Sequence, residues 1–238
     1  AEHVGWHGVF GLAAIPVSLA WLAFALLAKE PPRPAATGSR NPFSLLDEPD
    51  ARWLCGFYLV TFGGFVGLAS YLPIFFVDRF GLAKVTAAGF AALCAAAGSL
   101  IRPFGGLLSD RIGGTRVLGA ALGTASILLF GAATQPGLAV TVVLLFAAMG
   151  AFGAGNGAVF QLVPLRVPAR VGAMTGLVGA AGGLGGFLLP FALGSLRGST
   201  GTFATGFTAV AVVVAMASIC GRRREREWST SGRLEVAV

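Results

Sequence analysis

The residue in this chain with the most chemistry to account for is Arg102. It sits inside an apolar run, Val85–Leu108, and precedes Asp110 by eight residues. At 1.5 Å of rise per helical residue, that places it roughly 12 Å from the end of its helix. A cation at such depth in a membrane costs at least about 2.5–3.5 kcal/mol on insertion scales. A guanidinium cannot escape the cost by losing its proton. It needs a polar cavity or a counter-ion, yet no Asp, Glu or His lies inside any apolar run. A small anion would serve, because the planar fork of five N–H donors matches oxyanions, carboxylates included. The alternative is an arginine that snorkels to the membrane interface, and the depth argues against it.

Three further groups have chemistry to offer. Tyr58 and Phe62 stand one turn apart on one helix face, a hydroxyl donor beside an apolar ring. Packing, or a belt of aromatics at the membrane interface, would use the same pair. Asn156 and Gln161 fall inside the apolar run Leu138–Pro164 and read as supporting hydrogen-bonding groups. Gly172, Gly176, Gly179, Gly182, Gly183, Gly185 and Gly186 crowd a single segment. In water each would cost about 1 kcal/mol of helix stability. In a membrane they permit close helix packing or backbone contact with a small ligand, and both readings stay open.

Seven apolar runs must position these residues: Gly8–Ala28, Trp53–Val77, Val85–Leu108, Val117–Thr134, Leu138–Pro164, Ala173–Gly194 and Phe203–Gly221. Each is long enough, at about 18–27 residues, to cross ~30 Å of hydrocarbon. The 238 residues are 55% hydrophobic and 11% charged, with mean hydropathy +0.81. A soluble domain carries roughly 25% charged residues. The runs are apolar all round, which excludes a soluble helical domain with one polar face per helix. The expectation is an all-α integral membrane protein with about seven transmembrane helices.

Other chemistries find little support. Cys55, Cys94 and Cys220 lie in apolar runs without C-x-x-C spacing, so neither a disulfide framework nor a metal site is indicated. The two histidines, His3 and His7, sit near one end and cannot clamp a haem between helices. A redox subunit, or an enzyme of any kind, is therefore not expected, and no cofactor is called for. The net charge of +7 does not point to nucleic acid, because the basic residues flank the apolar runs.

Those flanking charges set an orientation. Alternate loops form two sets. One holds Lys29, Arg33, Arg40, Arg52, Arg111, Arg116, Arg166, Arg170 and the arginines from Arg222 to Arg233. The other holds Arg79, Lys84 and Arg197. The positive-inside rule puts the first set, and the C-terminus, in the cytoplasm of a multi-pass protein of the cell inner (plasma) membrane. The stretch 29–52, rich in Pro, Ser and charge, reads as a cytoplasmic linker. Residues 222–238 read as a basic cytoplasmic tail.

The segment Gly105–Arg116 reads G-G-L-L-S-D-R-I-G-G-T-R. It resembles the cytoplasmic loop motif of the major facilitator superfamily, G-x-x-x-D-R-x-G-x-x-R, at Gly106, Asp110, Arg111, Gly113 and Arg116. The resemblance implies that this loop governs conformational switching and binds no substrate, with Asp110 pairing with arginines and meeting a helix N-terminus. Superfamily members place two six-helix halves about an axis along the membrane normal. Residues 53–221 then form the C-terminal six-helix half-bundle, and 1–28 form the last helix of a missing N-terminal half. The chain is read as a fragment whose first partner is that half.

Two segments narrow the family. Gly153–Pro164 reads G-A-G-N-G-A-V-F-Q-L-V-P. Gly172–Pro190 ends in G-G-F-L-L-P. Together with Tyr58–Pro73 they resemble the nitrate/nitrite porters of the superfamily. The resemblance implies transport of nitrate and nitrite by alternating access. It assigns Arg102, Tyr58 and Phe62 to the anion, with Asn156, Gly176, Gly179 and Gly183 around it. A second substrate arginine and a first glycine signature belong to the absent half and match no residue here. With no carboxylate or histidine for a proton relay in any run, nitrate/nitrite exchange is expected over proton symport. Rival readings are a superfamily transporter of another small anion, such as a carboxylate, and a non-transporting membrane remnant. The partners expected are the small inorganic anion, the lipid bilayer and the missing half.

Overall fold

In a computed structural model the chain is described over residues 5–28 and 42–230. It divides into two compact units, Ala1–Gly38 and Ser39–Val238. The first holds α1 (Gly5–Leu27). The second holds a 3-10 turn (Pro42–Asp47) and six long helices: α2 (Pro49–Phe80), α3 (Lys84–Ile112), α4 (Gly114–Ala133), α5 (Leu138–Arg166), α6 (Val171–Thr200) and α7 (Phe203–Thr230). All seven helices are long and apolar enough to cross a membrane. The protein is all-α among the described residues, as its hydropathy requires.

Helix limits follow local chemistry. Pro49 opens α2 at a position where its missing N–H costs nothing. Gly81 and Gly201 close α2 and α6 in the left-handed region, at φ 65° and 71°. Pro73, Pro103, Pro164 and Pro190 lie inside helices. Membrane helices tolerate them because neighbouring groups re-satisfy the freed carbonyls.

Several helices run beyond the apolar stretches, and two of these extensions bear on the packing. α2 begins four residues earlier than Trp53, at Pro49, within the stretch read as linker, and Leu45 of the preceding turn is fully buried. α7 does not stop at Gly221 but continues to Thr230, through residues read as a basic tail. Hydropathy ends where the charges begin, whereas the helix continues past them, where Trp228 is still buried.

Within the six-helix unit the largest interfaces are α3 on α5, α2 on α6, and α4 on both α5 and α7. Glycine makes the first two possible. On α3 and α5, Gly98 and Gly105 face Gly153, Ala154 and Gly157 backbone to backbone. A Cβ built on Gly153 would strike the Gly98 carbonyl, and one on Gly157 would strike the Arg102 carbonyl. On α2 and α6, a Cβ on Gly63 would come within 2.7 Å of the Gly185 Cα. Lipid gives no hydrophobic drive to helix association, so such contact has to supply it through dispersion.

The extension of α7 is held by a polar cluster. Asp50 Oδ1 accepts a hydrogen bond from Trp228 Nε1 at 3.0 Å and another from Arg224 Nη2 at 3.1 Å. Arg224 also pairs with Glu227. The Arg166 guanidinium, at the end of α5, lies 4.1 Å from the centre of the Trp228 ring. Trp228 and Arg166 are 3% and 6% exposed, so this is a buried cation–π contact, worth about 2 kcal/mol or more when desolvated. The last turns of α7 thus tie to the first turn of α2 and the last of α5.

Four substitutions test this packing. Gly153→Val should lower the melting temperature of the purified protein, at an overpacking cost of about 1–3 kcal/mol or more. Gly56→Ala, on α2 with nothing within 4 Å of the added methyl, should leave it unchanged or raise it. Trp228→Ala should cost about 3–5 kcal/mol. Trp228→Phe keeps a ring for Arg166 but loses the bond to Asp50, and should cost about 1.5–3 kcal/mol. Wild-type melting of Trp228→Phe would show that the Asp50 bond contributes nothing.

Candidate anion site

Arg102 lies on α3, one residue before the helical Pro103. Its height is set by α5, because Gly157 lets that helix rest directly on the Arg102 carbonyl and the Gly106 amide. The side chain leaves this seam towards α2. Its guanidinium carbon stands 5.3 Å from the centre of the Phe62 ring and 5.6 Å from that of Phe65. The Nε is buried and has no hydrogen-bond partner among the described residues. Two ring faces supply some cation–π attraction but no acceptor. No ion pair involving Arg102 occurs among the described residues. A buried N–H of a permanent cation without an acceptor is costly, and a ligand oxygen would remove the cost.

Tyr58 and Phe62 stack face to face, 4.9 Å between centres and 6° between planes. Phe160 of α5 meets Tyr58 edge-on at 5.0 Å. Tyr58 is 3% exposed, and Arg102 is the cation whose field acts on its hydroxyl. Room for the stacked pair comes from α6. A Cβ on Gly182 would lie 2.5 Å from Tyr58 and 2.8 Å from Phe62. The structure therefore brings together Arg102, Tyr58 and Phe62, as the sequence suggested. It adds Phe65 and Gly182, which the sequence reading did not assign to the site. Phe65 follows Phe62 by one helical turn, a spacing that could have flagged it. Gly182 was one glycine among seven in its segment, and nothing in the sequence separated it from the rest.

The other expected site residues fall in different places. Gly176, Gly179 and Gly183 have nothing within 4 Å of an added methyl. They form an open face of α6, next to the face by which Gly182, Gly185 and Gly186 pack on α2. Asn156 is fully buried, and neither amide atom has a partner among the described residues. It lies one turn from Phe152, which packs against Gly64, and one turn from Phe160, so it points into the α2–α5 seam. Thr61, on the same seam beside Gly155, also buries an unpartnered hydroxyl. Gln161 places its Oε1 beside Gly114 at the start of α4. A separate groove walled by Leu59, Gly63, Leu189 and Val213 has an entirely apolar lining and offers nothing to an anion.

The loop motif joins α3 to α4. Gly113 takes φ 95° between the two helices, a conformation that only glycine adopts freely. A Cβ on Gly106 would lie 3.9 Å from the carbonyl oxygen of Gly157 on α5. Asp110 and Arg111 are exposed. The pairing of Asp110 with an arginine, expected from the sequence, is not found among the described residues. Instead Arg116 pairs with Glu225 on α7 at 3.0 Å. The extension of α7 brings Glu225 alongside α4.

Charge is segregated between the ends of the bundle. Arg197 pairs with Asp78 at 3.8 Å, and Arg79 reaches the carbonyl of Gln135, which marks one end. Arg116, Arg166, Arg224 and their partners mark the other.

With this geometry in view, similarity to known proteins can be weighed. The family model described as Major Facilitator Superfamily matches residues 1–190. A nitrite extrusion protein of Bacillus subtilis is 34% identical over 90% of this chain and 54% of its own length. A probable nitrate/nitrite transporter, NarK2, of Mycobacterium tuberculosis is 38% identical over 81% of this chain and 51% of its own. A probable nitrate/nitrite antiporter, NarK1, of Thermus thermophilus is 31% identical over 78% and 47%. The chain spans about half the length of the curated relatives it matches. Among solved structures, the major facilitator transporter FucP in its outward conformation superposes with a TM-score of 0.71 at 20% identity, over 91% of this chain and 55% of that one. That likeness concerns the fold.

Proposed function

The chain belongs to the major facilitator superfamily, and from that premise we propose that it forms part of a nitrate/nitrite transporter working by alternating access. The observation that carries the reading is the buried Arg102 Nε, which has no acceptor among the described residues and belongs to a guanidinium lying against Phe62 and Phe65. Relatives named for nitrate and nitrite support the choice of anion.

In this reading the guanidinium fork holds the anion by charge-assisted hydrogen bonds. The Tyr58 hydroxyl donates a further bond. Phe62 and Phe65 wall the site and keep it narrow and dry, which strengthens each polar contact. Gly176, Gly179 and Gly183 present bare backbone to the anion or to helices of the other half, which the matched relatives have the length to include. Asn156 acts from behind, through the α2–α5 seam. The loop bearing Asp110 and Arg111 meets that other half and switches with it, while Arg116 stays tied to Glu225. The basic end faces the cytoplasm of a cell whose inner membrane the protein spans. Exchange of nitrate for nitrite is favoured over proton symport, because the six helices of this unit bring no carboxylate or histidine to the site. Transport of this kind makes and breaks no covalent bond, so the chain is no enzyme.

The test is anion uptake by the complete transporter reconstituted in proteoliposomes. Arg102→Lys keeps the charge and loses the fork. It should weaken nitrate uptake about 10- to 100-fold, the loss of one charged hydrogen bond of about 1.5–3 kcal/mol. Tyr58→Phe should weaken it about 2- to 10-fold, the range of a neutral hydrogen bond. Unchanged uptake in Arg102→Lys would end the proposal. Formate competing as well as nitrite would replace it with a carboxylate transporter on the same site.

A further inference from the structure

The extension of α7 carries two faces. Gly221, Arg224, Glu225 and Trp228 turn inward, and the bonds of Arg224 and Trp228 to Asp50 fix that orientation. Arg222 and Arg223 therefore lie on the outer face and are exposed, with Arg226 one turn further along.

Arg222 does not extend into water. Its Cγ lies 3.4 Å from the position of a Cβ on Gly119, and its Nη2 lies 3.7 Å from that on Gly123. One turn earlier, Ser218 donates a hydrogen bond to the Gly119 carbonyl at 2.8 Å, fixing the two helices side by side. The arginine thus folds back along α4, in a channel kept open by two glycines, and its charge points towards the membrane interior. Helical side chains lean towards their own N-terminus, so the direction is the natural one for α7. No hydrogen bond or ion pair holds this guanidinium among the described residues. The nearby carboxylates are engaged elsewhere: Glu225 with Arg116, Asp50 and Glu227 with Arg224.

The stripe beyond the guanidinium is apolar and outward-facing. On α4, Gly119 and Gly123 continue into Ile127, 72% exposed, and Phe130. On α7, Arg222 is preceded by Ile219, 54% exposed, and Met216. A cation in a groove that opens onto an apolar, lipid-facing surface fits a ligand with an anionic head and acyl chains. We propose that the α4–α7 seam is a binding site for an anionic phospholipid, with its phosphate on Arg222 and Arg223 and its chains along Gly123, Ile127 and Ile219. Charge complementarity selects the head, and the apolar stripe selects a lipid over free phosphate. This site is separate from Arg102 and stands whether or not the chain carries nitrate.

Native mass spectrometry of the purified protein, after incubation with equal phosphatidylglycerol and phosphatidylcholine, tests it. Retained phosphatidylglycerol should exceed phosphatidylcholine. Arg222→Ala should cut the retained anionic lipid about tenfold, the effect of one charge-assisted contact. Arg52→Ala removes an exposed cation from the N-terminal turn of α2 and should leave retention unchanged. Melting temperatures of both variants report that each is folded. Equal retention of the two lipids would overturn the proposal, as would equal loss in Arg222→Ala and Arg52→Ala. Displacement of the lipid by millimolar inorganic phosphate would mark a site for free phosphate instead.

Discussion

Backbone contact between α3 and α5 is the constraint on which the rest of this molecule depends. In lipid the tails solvate a leucine as well as another helix does, so burial of apolar side chains gives no net drive to association. Dispersion at close range must supply it, and dispersion needs helices that approach without side chains between them. Gly98, Gly105, Gly153 and Gly157 provide that approach. The contact also fixes where Arg102 stands, because Gly157 rests on its carbonyl. Structure and site are therefore set by the same four glycines. The α2–α6 seam repeats the device: Gly63 and Gly185 bring the helices together, and Gly182 leaves space for the stacked Tyr58 and Phe62.

Against this rigid frame the charge on Arg102 is an unresolved cost. A cation among phenylalanine rings gains from their faces, but an N–H donor needs an acceptor. The described residues supply none to Nε. Thr61 and Asn156 likewise bury polar atoms without partners among the described residues, on the adjacent α2–α5 seam.

Much of this was legible in the sequence, and the exceptions have physical causes. All seven helices were visible because hydropathy acts on whole runs, and lipid permits only helices there. The burial cost of Arg102 was legible from its depth in an apolar run, whereas Tyr58 and Phe62 were singled out by family resemblance, since spacing alone fits packing equally well. The roles of individual glycines were not. Gly182 packs on an aromatic pair while Gly183 faces open space, and only the rotation of α6 distinguishes them. The end of α7 was misjudged for a related reason. Composition marks R-R-R-E-R-E as a tail, but Asp50, distant in sequence, holds it helical through Trp228 and Arg224. The ion pair of Arg116 with Glu225, in place of one with Asp110, follows from the same extension.

The bond between Trp228 and Asp50 also has a temporal meaning. It joins the first turn of the six-helix unit to its last, so it cannot form until nearly all of that unit has been synthesised and inserted. Until then Asp50 lacks its two donors, and Arg166 lacks the ring that covers it. A chain stopped at Gly221 would possess every apolar run and still lack both donors to Asp50 and the Trp228 ring beside Arg166. Closure of that contact therefore requires α2, α5 and α7 to be in place together, and so comes after the spans themselves.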